Sequence, residues 1–173
     1  VQVLLSKPFN LIAFNCMWFG CVAGRDTTLW FVAPLVVSYA SLLLYCGKTK
    51  FHHLFLPIVI GLCADASLTL AGMFQFSSSG LLVPFWLMVL WLAFSTTLES
   101  SLAVIGGYKW VAACAGGLIV PLNYAVAERL GAVSFGQDYL LTLITIGVIW
   151  AALLPLFFWI VEENWKHNHA AYS

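Results

Sequence analysis

Six apolar runs, each long enough to cross a bilayer, divide the chain. A spanning helix needs about 20 apolar residues, with a usual range of roughly 17–25. The runs cover residues 8–24, 29–46, 54–74, 81–105, 110–129 and 139–161. Short polar breaks separate them: Arg25-Asp26, Gly47-Lys48-Thr49-Lys50, the stretch 75–80, and Gly106-Gly107-Tyr108-Lys109. A polar tail, residues 162–173, follows the last run. Each run holds one proline, and Pro8, Pro57 and Pro84 sit in first turns, where a missing N–H is tolerated. Pro121 and Pro155 are interior and predict kinks. The pattern predicts an all-α, polytopic membrane protein: one domain, a bundle of six transmembrane helices.

The fifth run, with its flank, reads AGGLIVPLNYAVAERLGAVSF over residues 115–135. Gly117, Pro121, Tyr124 and Glu128 fall on one helical face, with Gly116 and Asn123 on the neighbouring one. Lipid has no use for such a face, so it is expected to point into the protein. Pro121 removes one helical hydrogen bond and is expected to free the Gly117 carbonyl.

Composition places this pattern in a bilayer. The 173 residues are 62% hydrophobic and 8% charged, with a mean hydropathy of +0.97. An ordinary soluble domain is about 25% charged. Net charge is zero and no basic block occurs, which excludes nucleic acid as the expected partner. The five cysteines (Cys16, Cys21, Cys46, Cys63, Cys114) show no CxxC spacing and are read as small, reduced, buried residues. Basic residues set the expected orientation. Lys7, Lys48, Lys50, Lys109 and Lys166 fall on one side of the bundle, against Arg25 and Arg129 on the other. The positive-inside rule then puts both termini in the cytoplasm (N-in/C-in). Gly20-x3-Gly24 and Ala113-x3-Gly117 are close-packing patterns, suited to internal packing or to a dimer seam.

Acidic residues inside the runs are restricted to Asp65, Glu99 and Glu128. At about 1.5 Å per residue, Asp65 lies roughly 18 Å deep, level with Asn123 and Tyr124. Glu99 and Asn15 lie shallower, at roughly 12–15 Å. Two polar tiers are therefore expected, Asp65 with Asn123 and Tyr124, and Glu99 with Asn15 and Ser95. With no basic residue at its depth, Asp65 is expected to be a neutral acid that donates to Asn123 or to a carbonyl freed by Pro121. It serves either as interhelical glue or as a contact for a substrate or ion. Glu99 can instead snorkel toward water.

Several chemistries are absent from the sequence. It has no Gly-rich phosphate loop, no HExxH and no GxSxG elbow. No histidine falls inside a run, and His52, His53, His167 and His169 are expected on the cytoplasmic side. No catalytic residue, cofactor or metal is assigned.

In combination, several motifs resemble those of a known family. They are Asn15-Cys16-Met17-Trp18-Phe19, then Gly61, Asp65 and Gly72, then Pro84-x-Trp86 through Trp91 and Phe94. The closing features are Gly116-Gly117, Pro121-Leu122-Asn123-Tyr124 and Leu130-Gly131-Ala132. On these residues, spanning about 9–159, the chain resembles the bacterial inner-membrane family called domain of unknown function 2878. Asn123 stands where members often carry Ser. The resemblance implies a compact multi-pass protein of the Gram-negative inner membrane and supplies no reaction. Members are encoded near lipid-modifying enzymes, an association that tilts the expectation toward lipid.

Three function classes remain. The first is a non-enzymatic protein that binds or moves a lipid or other small amphiphile in a cavity between the third, fourth and fifth helices. Asp65, Glu99, Asn123, Tyr124, Asn15 and Trp91 are its candidate residues, and membrane lipids its partners. The second is a structural or accessory subunit bound to another membrane protein. The third is an intramembrane enzyme acting on a lipid.

Overall fold

A computed structural model describes residues 2–77 and 82–170, with side chains to residue 162. Leu81 and the side chains of Lys166, His167 and His169 thus lie outside the described residues. The helices are α1 (Lys7–Gly24), α2 (Asp26–Tyr45), α3 (Phe51–Leu70), α4 (Phe85–Leu98), α5 (Ala103–Gly106), α6 (Lys109–Arg129) and α7 (Tyr139–Ala170). Two short strands, β1 (Phe74–Gln75) and β2 (Ser134–Phe135), pair antiparallel between the α3–α4 and α6–α7 connections.

Local chemistry sets the helix ends. The Ser6 hydroxyl accepts from the Phe9 amide at the start of α1, with Pro8 in the first turn. At the ends of α2, α3 and α6 the chain turns through Gly47, Gly72 and Gly131, all at positive φ. In each case the amide after the glycine reaches back five residues: Lys48 to Leu43, Met73 to Leu68, Ala132 to Ala127, all at 2.9 Å. This Schellman closure satisfies carbonyls that would otherwise be orphaned, and it calls for a residue free to enter the left-handed region.

The six expected spans are met in part. Four helices, α2, α3, α6 and α7, are long and apolar enough to cross a membrane. Lys7, Asn10 and Asn15 lower the hydropathy of α1, which is not among them. The fourth run, 81–105, is not one helix: α4 ends at Leu98, a turn follows, and α5 adds one turn. The cause is the sequence Ser95-Thr96-Thr97-Leu98-Glu99-Ser100-Ser101. Ser95, Thr96 and Thr97 hydroxyls donate back to the carbonyls of Trp91, Ala93 and Phe94, and the Ser101 amide donates to the Asn10 side chain instead of continuing the helix. At the other extreme, α7 continues through most of the tail, to Ala170.

Packing centres on α4, which contacts α1, α2 and α3. Trp91 at its middle is buried and stacks on Trp150 of α7, with ring centroids 5.3 Å apart and planes 8° from parallel. The most extensive helix pair is α6 with α7. Small residues permit it: a Cβ on Gly116 would stand 2.2 Å from the Trp150 carbonyl oxygen, and one on Gly147 2.9 Å from that of Gly117. The Gly117 carbonyl beneath Pro121 therefore lies against α7. On the other side of the molecule Gly20 packs on Val32 and Gly24 on Thr28, so Gly20-x3-Gly24 is a seam between α1 and α2.

Candidate functional site

Asp65, in the middle of α3, is buried. Trp91 Nε1 donates to its Oδ2 at 2.7 Å, and the Tyr124 hydroxyl donates to its Oδ1 at 2.7 Å. One carboxyl group thereby ties α3 to α4 and α6. An indole N–H can only donate, so Oδ2 of Asp65 accepts, and the partners of the carboxyl are Trp91 and Tyr124 instead of Asn123 or a carbonyl freed by Pro121. Gly61, one turn earlier, makes room for the indole: a Cβ there would stand 2.1 Å from Trp91. Phe74 stacks on Tyr124 from above, with centroids 5.2 Å apart. Asn123 is not part of this cluster. It lies about 100° around the helix from Tyr124, is exposed, and makes no side-chain hydrogen bond among the described residues.

Glu99 is also placed differently from expectation. Its Oε1 lies 2.8 Å from His53 Nδ1, and its Oε2 accepts from the Thr49 hydroxyl. His53 belongs to the first turn of α3, not to a solvent-exposed loop, and its ring is buried. Its Nε2 has no partner among the described residues. The expected tier of Glu99, Asn15 and Ser95 is absent, because Ser95 bonds to Trp91 and Asn15 to the Leu11 carbonyl, each within its own helix.

Asn10 cross-links α1 to α2 and to the end of α4. Its amide donates to Tyr39 Oη (3.1 Å) and the Thr96 carbonyl (3.2 Å), while its Oδ1 accepts from the Ser101 amide (3.3 Å) and hydroxyl (2.6 Å). All four hydrogen-bonding positions of the side chain are filled. Burial of Asn in a first turn is invisible without the neighbouring helices, and only the clustering of Ser and Thr at the end of α4 hinted at a partner.

A groove of about 320 Å³ runs between α1 and α6, floored by α4 and closed behind by Trp150 and Leu154 of α7. That volume falls at the lower end of small-molecule sites, roughly 300–1,000 Å³. On α1 the wall is Leu11, Phe14, Asn15, Trp18 and Val22, one helical face. From Leu11 to Val22 the groove follows α1 for about 16 Å. On α6 it is the face from Ala115 through Ile119 and Asn123 to Ala127. The two walls pack chiefly on other elements: α1 rests on α2 and α4, α6 on α7 and α5. Leu11 and Ile119 at the rims are 48% and 58% exposed, so the groove opens sideways rather than being sealed.

Of the candidate residues, Asn15, Trp91, Asn123 and Tyr124 line this groove. Asp65 and Glu99 do not. Asp65 stands behind the wall, holding Trp91 and Tyr124, and Glu99 turns toward α3. The expected cavity between the third, fourth and fifth helices is corrected accordingly, since α3 contributes no lining residue and α1 does. Among the described residues no cluster of three metal-ligating side chains occurs.

A bundle of apolar helices with polar knots between them and a lateral groove defines a helical membrane protein. The family described as protein of unknown function (DUF2878) matches residues 7–156, and the chain belongs to that family. No curated protein and no solved structure matches the chain.

Proposed function

We propose that this protein holds or moves a lipid or other small amphiphile in the groove between α1 and α6. The observation that carries the reading is the groove's shape: an apolar, aromatic-rich trough along the helices, open at the rims where a membrane would supply hydrocarbon. An acyl chain could enter from the bilayer without leaving apolar surroundings, and α4 and α7 supply a rigid floor and back wall. Analysis of lipids that co-purify in mild detergent tests the idea. Ala115→Trp, which projects a large ring into the groove, is expected to release the bound lipid while the helical circular dichroism remains. Unchanged lipid content in that variant would exclude the groove as the binding place.

The same reading takes the chain as a multi-pass protein of a bacterial inner membrane with six crossings. In it α1 supplies the first crossing, α4 with α5 the fourth, and both termini lie in the cytoplasm. The basic residues Lys7, Lys48, Lys50 and Lys109 support that orientation. In a cysteine-free background, an impermeant thiol reagent applied to cells with a permeabilised outer membrane is expected to label Gln137→Cys and spare Gly107→Cys. The opposite pattern would reverse the orientation.

A second reading, an intramembrane enzyme, has one observation in its favour. The Tyr124 hydroxyl bonds Asp65 at 2.7 Å, and Tyr124 is part of the groove wall. Such a pair could relay a proton to a bound lipid. Conversion of a lipid in cells, lost in Tyr124→Phe while lipid binding persists, would favour this reading over simple binding.

A further inference from the structure

We propose, resting on the groove reading, that the groove selects an uncharged lipid bearing hydroxyl and ester oxygens, and that Asn15 and Asn123 are the residues that recognise those oxygens.

The first ground is charge. Among the residues that line the groove none is Asp, Glu, Lys, Arg or His. Asp65 and Glu99 are engaged elsewhere, Asp65 with Trp91 and Tyr124, Glu99 with His53 and Thr49, and Glu128, next to Ala127 in sequence, is not a lining residue. A phosphate or carboxylate drawn into the trough would lose water and meet no cation, a heavy desolvation penalty without compensation. An ammonium headgroup would meet no anion.

The second ground is unmet hydrogen bonding. Asn15 gives one amide hydrogen to the Leu11 carbonyl at 2.7 Å. Its other amide hydrogen and its Oδ1 have no partner among the described residues, and the same holds for the whole amide of Asn123. By contrast Asn10, a few residues away, is fully bonded. Asn15 lies about 12 Å from the start of α1 and Asn123 about 21 Å from the start of α6, both deep enough to face hydrocarbon. Amides left open to hydrocarbon are unfavourable unless something in the groove bonds to them.

The third ground is the match of group to geometry. A primary amide offers donors and an acceptor, which suits a hydroxyl and an ester carbonyl together and confers no preference for charge. Both amides line the one groove, where oxygens distributed along one molecule can reach them. The aromatic and aliphatic remainder of the trough takes the chain.

The direct test compares 1,2-dioleoylglycerol with dioleoylphosphatidic acid, which share acyl chains and differ by one phosphate. Each is titrated onto the full-length purified protein in detergent and followed by native mass spectrometry. Dioleoylglycerol is expected to bind at least tenfold more tightly. In Asn15→Leu/Asn123→Leu its Kd is expected to rise at least tenfold, with the Kd for phosphatidic acid changing less than twofold. Equal or tighter binding of phosphatidic acid by the unaltered protein would overturn the inference without needing any variant to fold. So would unchanged dioleoylglycerol binding in the double variant. Failure of the groove itself reads differently: Ala115→Trp would then leave binding of both lipids unchanged.

Discussion

Two polar places lie at membrane depth in this protein, and they are built in opposite ways. Asp65 is buried, and both its oxygens receive hydrogen bonds, from Trp91 and Tyr124. Asn15 and Asn123 stand at an open groove with most of their hydrogen-bonding groups unmet among the described residues. The first arrangement holds three helices together and gives both carboxyl oxygens a protein partner. The second contributes little to the fold and leaves groups facing whatever fills the trough. A polar residue in an apolar span is therefore not by itself a sign of function. What distinguishes the two roles is whether the neighbours complete its hydrogen bonds.

The largest effect is expected at the closed site. Asp65→Leu strands the Trp91 N–H and the Tyr124 hydroxyl in the core, which should lower stability by about 2–4 kcal/mol. Asp65→Asn keeps one acceptor oxygen and should cost only about 1 kcal/mol. Unfolding in mixed detergent and sodium dodecyl sulfate measures both. A Leu variant as stable as the parent would show that the cluster does not hold the helices.

Next comes the support beneath it. Gly61→Ala puts a methyl group where the Trp91 ring lies, which should cost about 1–3 kcal/mol by overpacking. Because Trp91 also lines the groove, the same variant should alter lipid content. A loss of stability with unaltered lipid would separate the two places completely. Asn10→Ala removes the bonds that join α1 to α2 and to the end of α4. About 1–2 kcal/mol is expected, on the scale of interhelical hydrogen bonds in lipid.

The smallest effect on stability is expected at the open site. Asn15→Leu/Asn123→Leu removes amides whose one hydrogen bond among the described residues is that of Asn15 to the Leu11 carbonyl, so stability should change by no more than about 0.5 kcal/mol. A loss comparable to that of Asp65→Leu, seen by the same unfolding measurement, would mean that these amides serve the fold and would erase the contrast.

Much of the helical frame was legible from runs of apolar residues. That Asp65 must be a special residue was legible too, because a carboxyl group among apolar neighbours has to find partners. Of its partners, Tyr124 was legible as level with it, and Trp91 was not. Trp91 and Tyr124 are 26 and 59 residues away, and nothing in their spacing distinguishes them from Asn123, which points another way. The pairing of Glu99 with His53 was hidden for the same reason, since His53 read as a loop residue until α3 was seen to begin at Phe51.

By itself the sequence determined the membrane class, the family, the approximate helix positions and the short list of polar residues worth asking about. These follow from composition and from periodicity, which act locally along the chain. Only the tertiary structure decided that α4 breaks at Leu98, that the cavity lies against α1 instead of α3, and which amides are satisfied. Each of these depends on side chains brought together from distant segments. Burial and hydrogen-bond completion are properties of the neighbours a residue acquires on folding, so no single run of residues can specify them.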